Sequence, residues 1–164
     1  PWTVGRQEKL DPLLILAVMA VESSFNPYAA SGAGATGLMQ VMAGVHRDKF
    51  AAFGGPQASI DPLANMRVGA VVLKDAINRG GSVRAGLRYY VGATTDANEG
   101  GYADKVLAEQ VQLERVAGVS PKQTTAPLTA SAGAQPGTHG TTPVAKPTVA
   151  AEPQLTEQKP SSLT

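Results

Sequence analysis

The chain has 164 residues, of which 43% are hydrophobic, and its formal net charge is +1 at pH 7. These values fit one compact domain of an ordinary soluble protein, and the near-neutral charge gives no electrostatic basis for binding nucleic acid. Because cysteine is absent, a disulfide framework, a thiolate metal site and a cysteine redox centre are all excluded.

The first predicted element is a helix over about residues 12–23. Asp11 is a capping residue, and Pro12 follows it at the first helical position, where proline is favoured. Residues 13–21 are all apolar, but this run is too short to cross a bilayer, for which about 20 residues are needed. The sequence therefore predicts a helix in the protein core.

Glu22 ends this apolar run, immediately before a polar stretch. Burial disfavours an ionised carboxylate, and the carbonyl end of a helix adds partial negative charge, so we expect the pKa of Glu22 to be raised. With an ordinary pKa of about 4.3, only roughly one Glu in 500 is protonated at pH 7, whereas a pKa of about 6 to 7 supplies a usable fraction of acid. Glu22 is therefore a candidate proton donor.

Residues 29–36 form a loop of small residues that leads into the segment 37–42. Such a backbone can pass close to another surface, which would make the loop one wall of a narrow cleft. The alternative is a flexible surface loop before an ordinary core helix.

Two further helices have clear boundaries. Asp61 and Pro62 repeat the capping pattern and predict a helix over about residues 62–78, which the glycines that follow should end. Ser82 can then cap a helix that runs to about Tyr90.

A last helix is predicted over about residues 102–116. Its expected inner residues are Tyr102, Val106, Val111 and Leu113. No alternation of period two and no internal repeat is present, so the predicted fold class is all-α. Trp2, near the chain end, is expected to cover the core.

The composition changes near Gly118, beyond which proline, threonine, alanine, serine and glycine dominate. Such a segment cannot bury enough surface to offset its ordering entropy. We therefore divide the chain into a folded domain over residues 1–117 and a disordered tail or linker over residues 118–164. A tether to a wall, a membrane partner or a further domain is the functional alternative.

Several motifs of the folded part together resemble one family. Residues 22–27 read Glu-Ser-Ser-Phe-Asn-Pro, residues 34–40 read Gly-Ala-Thr-Gly-Leu-Met-Gln, and residues 65–69 read Asn-Met-Arg-Val-Gly. With Leu-Asp-Pro at residues 10–12, this order and spacing resembles the soluble lytic transglycosylase (SLT) domain. That domain has a lysozyme-like helical fold with a substrate cleft and is related to goose-type lysozyme.

Two tyrosine motifs extend the resemblance to about Val116. Residues 89–92 read Tyr-Tyr-Val-Gly where the family commonly has Tyr-Asn-Ala-Gly, so either Tyr89 or Tyr90 takes the place of the family tyrosine. Tyr102 opens a closing Tyr-x-x-x-Val motif. The resemblance implies that these tyrosines line the cleft and help to hold the catalytic glutamate. The alternative is that they are core tyrosines whose hydroxyl groups bond to the backbone.

The resemblance implies cleavage of the β-1,4 bond between N-acetylmuramic acid and N-acetylglucosamine in peptidoglycan. Glu22 would protonate the glycosidic oxygen and later take the proton from the muramoyl 6-hydroxyl, which closes onto C1 and leaves a 1,6-anhydro end. One carboxylate suffices, because the substrate supplies the nucleophile.

Two alternatives stay open. A hydrolase of the same bond, like goose-type lysozyme, would need a second carboxylate to activate water, and Asp96 and Glu99 lie in the polar loop beside the tyrosine motif. Three other acids are expected on solvated faces: Asp48, Asp75 and Asp104. A domain that binds peptidoglycan without cutting it is the other alternative.

Supporting roles follow by position in the family motifs. Ser31 is implied to hydrogen-bond the acid or a substrate acetamido group, or else it only forms a turn. Gln40 is implied to contact sugar hydroxyl and amide groups, and Met42 offers apolar contact to sugar faces, although core packing is as good an explanation for the methionines Met39 and Met42. Ser23 and Asn26 are expected to fix the chain after Glu22 by local backbone bonds.

We expect no cofactor and no metal, since His46 and His139 lack partners at metal-ligand spacing. The expected partners are peptidoglycan glycan strands and a cell-envelope or secretion-system assembly, with no nucleic acid, and the protein is expected to be a monomer. The resemblance further implies export to the bacterial periplasm or cell envelope.

Overall fold

The computed structural model describes residues 1–93 and 100–119, and this part of the chain is mostly helical. The helices are α1 (Trp2–Glu8), α2 (Pro12–Ser23), α3 (Arg47–Phe50), α4 (Pro62–Gly80), α5 (Val83–Tyr90) and α6 (Tyr102–Val116). Two 3₁₀ turns, Ala51–Phe53 and Pro56–Ile60, connect α3 to α4. Within the described residues, no helix is long and apolar enough to cross a membrane.

The residues predicted to cap the starts of helices form the expected hydrogen bonds. The Asp11 carboxylate accepts a hydrogen bond of 2.8 Å from Leu13 N, and that of Asp61 accepts one of 2.7 Å from Ala64 N. The Ser82 hydroxyl accepts a bond of 3.2 Å from Ala85 N at the start of α5. These side chains satisfy backbone donors that the first helical turn leaves unpaired, so the predicted helix starts are confirmed.

A small β-ribbon interrupts the helices between α2 and α3. Strands β1 (Ala35–Thr36) and β2 (Val41–Met42) pair antiparallel, with Ala35 opposite Met42 and Thr36 opposite Val41. The sequence predicted no strand, because two-residue strands are too short to show an alternating pattern. The ribbon leaves the all-α class intact and fixes the segment that follows the small-residue loop.

The core forms where α2 packs against α6 and α4 packs against α5. The members of the core include side chains from every larger helix and from the segment 38–41. The largest fully buried apolar ones are Ile15, Val18, Met39, Phe50, Val68, Leu73, Leu87 and Val106. The packing of α2 on α6 brings the C-terminal end of α2 against the N-terminal end of α6, which positions the site described below.

Two burial predictions were wrong. Trp2 is 58% exposed and so does not cover the core, and Val111 is 37% exposed on the outer side of α6. Single apolar side chains are often exposed on protein surfaces, and α6 already packs against α2 along another face, so the exposure of these two residues is not unusual. Tyr102 and Val106 are buried, and Leu113 packs at the core edge, as predicted. From residue 120 onward, the predicted tail lies outside the described residues.

Candidate active site

Glu22 occupies the last turn of α2 and is only 9% exposed. The chain reverses directly after the helix, because Ser24 and Phe25 both adopt left-handed conformations, with φ of 50° and 62°. Ser24 N and Phe25 N then bond to Ala20 O and Met19 O at 3.0 and 3.4 Å. Two consecutive left-handed residues that are not glycine store strain, which proteins tolerate mainly at functional sites.

Tyr102, the first residue of α6, contacts this carboxylate. Its hydroxyl donates a hydrogen bond of 2.7 Å to Glu22 Oε1, and the tyrosine is itself 6% exposed. Burial raises the pKa of the Tyr102 phenol well above its ordinary value, and the negative charge of Glu22 raises it further. The hydroxyl therefore remains a hydrogen-bond donor at every pH at which the protein would work.

Tyr90 and Tyr89, both predicted at the site, point in different directions. Tyr90 is 2% exposed and donates a hydrogen bond of 2.8 Å to Met39 O. Burial raises the pKa of the Tyr90 phenol well above its ordinary value, and the negative charge of Glu22 raises it further. Tyr89 is 42% exposed, and its ring lies 4.7 Å below the Arg79 guanidinium carbon. Tyr90 is thus the buried member of the pair, and it is the one that bonds to the segment at Met39.

Three side chains fix the backbone of residues 38–39 next to Glu22. Ser23 Oγ lies 2.8 Å from Leu38 O and 3.0 Å from Met19 O and donates to one of them at a time. The Asn65 side chain accepts a bond of 2.8 Å from Met39 N, while Tyr90 donates to Met39 O. Ser23, which follows Glu22 in the sequence, therefore holds the same short segment as Asn65 and Tyr90.

Asn65 is the centre of this support. It is fully buried on α4, and its amide also donates bonds of 2.8 Å to Thr36 O and 2.7 Å to Ser59 O. Sequence reasoning assigned it no role. The available signal was an amide within the apolar pattern of α4, where a buried polar group requires partners.

Gln40 is buried beside the segment at residues 38–39 rather than exposed at the surface. It is 3% exposed, has a φ of 49°, and its Nε2 donates bonds of 3.1 Å to Ala29 O and 3.0 Å to Gly37 O. Both donor positions of the amide are used internally. In this structure Gln40 closes the loop that begins at Ala29, and the sugar contact predicted for it is not available to its nitrogen.

Ser31 and Met42 lie on the loop and ribbon beside these supports. The Ser31 hydroxyl accepts a bond of 3.1 Å from Ala35 N, so the turn-forming alternative describes its contact. That bond uses an oxygen lone pair and leaves the O–H able to donate. Met42 is partly exposed on β2, whereas Met39 is fully buried in the core.

The other acids discussed above have partners elsewhere. Asp11 and Asp61 cap helices, Asp48 and Asp75 pair with Lys49, and Asp104 pairs with Arg84. Asp96 and Glu99 lie outside the described residues. Across residues 1–93 and 100–119, no group of three or more His, Asp or Glu side chains is arranged to hold a metal ion.

The described site thus brings Tyr102 into contact with Glu22, while Ser23, Asn65 and Tyr90 hold the segment at residues 38–39. A family model for the transglycosylase SLT domain matches residues 3–111 of the chain, which include this entire arrangement. The chain belongs to the SLT domain family.

Relatives and solved structures agree with this assignment. The SLT domain is 39% identical over 94 residues to a transglycosylase of Enterobacteria phage PRD1, a match that covers 57% of this chain and 34% of the phage protein. It is 42% identical over 105 residues to the membrane-bound lytic murein transglycosylase C of Sodalis glossinidius, covering 59% of this chain and 29% of that protein. The chain therefore spans about a third of these relatives.

A solved structure supports the lysozyme-like fold. The X-ray structure of the lytic transglycosylase Slt from Pseudomonas aeruginosa, in an inactive glutamate-to-glutamine mutant, superposes with a TM-score of 0.59 at 25% identity. The superposition covers 73% of this chain and 24% of that chain.

Proposed function

We propose that the SLT domain is a peptidoglycan lytic transglycosylase that cleaves the β-1,4 bond between N-acetylmuramic acid and N-acetylglucosamine. The observation that carries the proposal is the buried carboxylate of Glu22, which accepts a hydrogen bond of 2.7 Å from the Tyr102 hydroxyl. A carboxyl group in a desolvated position suits proton transfer to a poorly basic glycosidic oxygen. The names of the matching relatives support the same reaction class.

In the proposed reaction, Glu22 first acts as a general acid and gives its proton to the glycosidic oxygen as the bond to C1 breaks. The departing N-acetylglucosamine leaves with a 4-hydroxyl group. The ionised Glu22 then takes the proton from the muramoyl 6-hydroxyl, whose oxygen attacks C1. This step forms a 1,6-anhydro ring and returns Glu22 to its protonated form.

Tyr102 positions the acid in this scheme. Its hydrogen bond fixes one carboxylate oxygen and stabilises the ionised state that exists between the two proton transfers. Tyr90, Ser23 and Asn65 act one step further out, because they brace the segment at Met39 beside the acid. A positioned acid loses efficiency quickly when its supports loosen.

Ser31 and Met42 are proposed to contact substrate, and Gln40 is proposed to shape the loop that carries Ser31. The proposed partners are peptidoglycan glycan strands, and the proposed location is the cell envelope. Support for the location comes from the membrane-bound murein transglycosylases among the relatives.

Purified peptidoglycan digested with this protein tests the proposal through the masses of the released muropeptides. The lyase gives anhydro products that are one water lighter than reducing sugars. Full-mass reducing ends would instead identify a hydrolase of the same bond. Protein that sediments with the glycan and releases nothing would identify a binding module.

A further inference from the structure

A cavity of about 290 Å³ lies where the end of α1, α3 and the first 3₁₀ turn approach the middle of α4. Its lining includes Glu8, Lys49, Phe53, Arg67, Val68 and Val71. The side chains that hold Glu22 and the segment at residues 38–39 do not line it, so the proposed bond cleavage gives it no role. Pockets for drug-sized ligands span about 300–1,000 Å³, so this cavity suits a smaller molecule.

Arg67 brings an unpaired cation to this cavity. Its Nε is the only buried side-chain nitrogen or oxygen without a hydrogen-bond partner in residues 1–93 and 100–119. The guanidinium also forms no ion pair with an acid in that part of the chain. A buried donor without an acceptor is costly and therefore rare, and a ligand that supplies the acceptor explains it. The ligand group that suits a guanidinium best is a carboxylate, which can accept two parallel hydrogen bonds.

Glu8 brings an unpaired carboxylate to the same cavity. It is the last residue of α1, is partly exposed and forms no ion pair within the described part of the chain. Lys49 is already engaged, since its Nζ lies 3.5 Å from Oδ2 of both Asp48 and Asp75. One positive and one negative group therefore remain available to a ligand, and this pair is complementary to a zwitterion rather than to a simple anion.

The other lining residues are apolar. Val68 and Val71 lie on one side of α4, and Phe53 ends the 3₁₀ turn that follows α3. Val68 is almost fully buried, whereas Phe53 and Val71 are partly exposed. An apolar group placed against them would leave water, which is favourable. The cavity thus combines a cation, an anion and an apolar wall in a small volume.

We propose that this cavity binds a free apolar α-amino acid. The carboxylate of the ligand bonds to Arg67, its ammonium group bonds to Glu8, and its side chain packs against the apolar wall. In an α-amino acid these three groups branch from one carbon, which suits a cavity of this size better than a peptide whose charged ends lie on different residues. The inference goes beyond the proposed function and does not depend on it, because it assigns a second ligand to a separate site.

An NMR titration of the full chain with leucine tests the site, with the L and D enantiomers titrated separately. Millimolar leucine of at least one hand should shift resonances around Glu8 and Arg67. Three analogues each lack one contact: leucinamide lacks the carboxylate, N-acetylleucine lacks the ammonium group, and glycine lacks the side chain. Each should bind roughly 10-fold more weakly or worse, on the scale of one lost contact. No binding of either enantiomer, or equal binding of leucine and leucinamide, overturns the proposal.

Two variants assign the charged contacts. Arg67→Gln and Glu8→Gln should each weaken leucine binding by roughly 10-fold, because each removes one charge-assisted contact. Arg115→Gln is the matched control and should bind like the parent protein, since Arg115 is exposed on the last turn of α6 and does not line the cavity. Unchanged leucine affinity in Arg67→Gln would show that the guanidinium does not hold the ligand and would overturn the site.

The melting temperature without ligand separates this site from a structural role of the same residues. Because Arg67 has no ion pair and its Nε has no acceptor, Arg67→Gln should melt near the parent temperature. If Glu8 and Arg67 instead pair with each other in solution and fill the cavity, both single variants should melt lower and the parent protein should not bind leucine. That result would also overturn the proposal.

Discussion

The Tyr102 hydroxyl and the Glu22 carboxylate meet at 2.7 Å although 80 positions of sequence separate them. The contact exists because α6 begins where α2 ends, so a helix start supplies the donor and a helix end supplies the acceptor. Both groups are almost fully buried. A hydrogen bond in such a place is worth more than one at the surface, because no water replaces a lost partner.

The variant Tyr102→Phe removes this donor without changing the shape of the side chain. We expect kcat to fall roughly 10-fold or more, on the scale of a lost bond to a charged group at about 1.5 to 3 kcal/mol. Because the ionised carboxylate loses its donor, the alkaline limb of the pH–rate profile should move to higher pH. An unchanged profile would show that the hydroxyl does not act on Glu22.

The buried tyrosines also make stability depend on alkaline pH. Burial raises the pKa of Tyr90 and Tyr102 in the folded state, and the charge of Glu22 adds to the effect, so the unfolded chain loses these protons first. The contribution of these two tyrosines to the free energy of unfolding is fully present below about pH 10, the ordinary tyrosine pKa. It is lost as the pH rises above that value.

Urea unfolding between pH 8 and about pH 12 measures this effect. In the variant Tyr28→Phe/Tyr89→Phe, only Tyr90 and Tyr102 remain of the four tyrosines, and their absorbance change should coincide with unfolding. Ionisation of both phenols in a protein that stays folded would contradict the burial argument.

Asn65→Ala should be strongly destabilising. It removes the Asn65 partner from Met39 N and Ser59 O, which are buried, and from Thr36 O, which is partly buried. At about 1 to 3 kcal/mol for each unsatisfied group, partly relieved by relaxation, we expect a loss of about 3 to 5 kcal/mol in the free energy of unfolding. Asn78→Ala, at an exposed position of the same helix, is the control and should change it by less than about 0.5 kcal/mol.

Two loop glycines test how tightly the chain passes Asn65. Gly37 has a φ of 77°, and an added Cβ would overlap the Asn65 amide and lie 2.6 Å from Ser59 O. Gly34 has a φ of 88°, but an added Cβ would meet nothing within 4 Å. Gly34→Ala should therefore lower the free energy of unfolding by only about 1 kcal/mol, because only its backbone conformation is unfavourable for alanine. Gly37→Ala should lower it clearly more, because its added Cβ also overlaps neighbouring atoms. Equal melting temperatures for the two variants would contradict this packing.

The starts of α2, α4 and α5 were predictable because they rest on capping signals within a few residues, whereas α1 and α3, which have no side-chain cap, were not predicted. Asp11 and Asp61 each precede a proline, and both cap the helix that follows. The spacing of apolar residues then predicts how far each helix extends. The class of the fold and the position of Glu22 at the end of a buried helix follow from these local rules.

The supports of the site were not predictable in the same way. Asn65 bonds to Met39 and Thr36 across 26 and 29 positions, and no local pattern in the chain records such a contact. The choice between Tyr89 and Tyr90 likewise depends on how α5 rotates against α4. The turn role of Ser31 and the internal bonds of Gln40 arise from a ribbon too short to leave a periodic signal.

The most direct test of the account compares Glu22→Gln with Glu114→Gln. Both substitutions neutralise a buried glutamate, but Glu114 lies 12 positions along α6 from Tyr102, about 18 Å at 1.5 Å per residue, and bonds to Gln110. The rate of anhydro-muropeptide release from purified peptidoglycan should fall roughly 10²–10⁴-fold in Glu22→Gln and stay near the parent rate in Glu114→Gln. Release by folded Glu22→Gln at the parent rate would contradict the central claim that Glu22 is the proton donor.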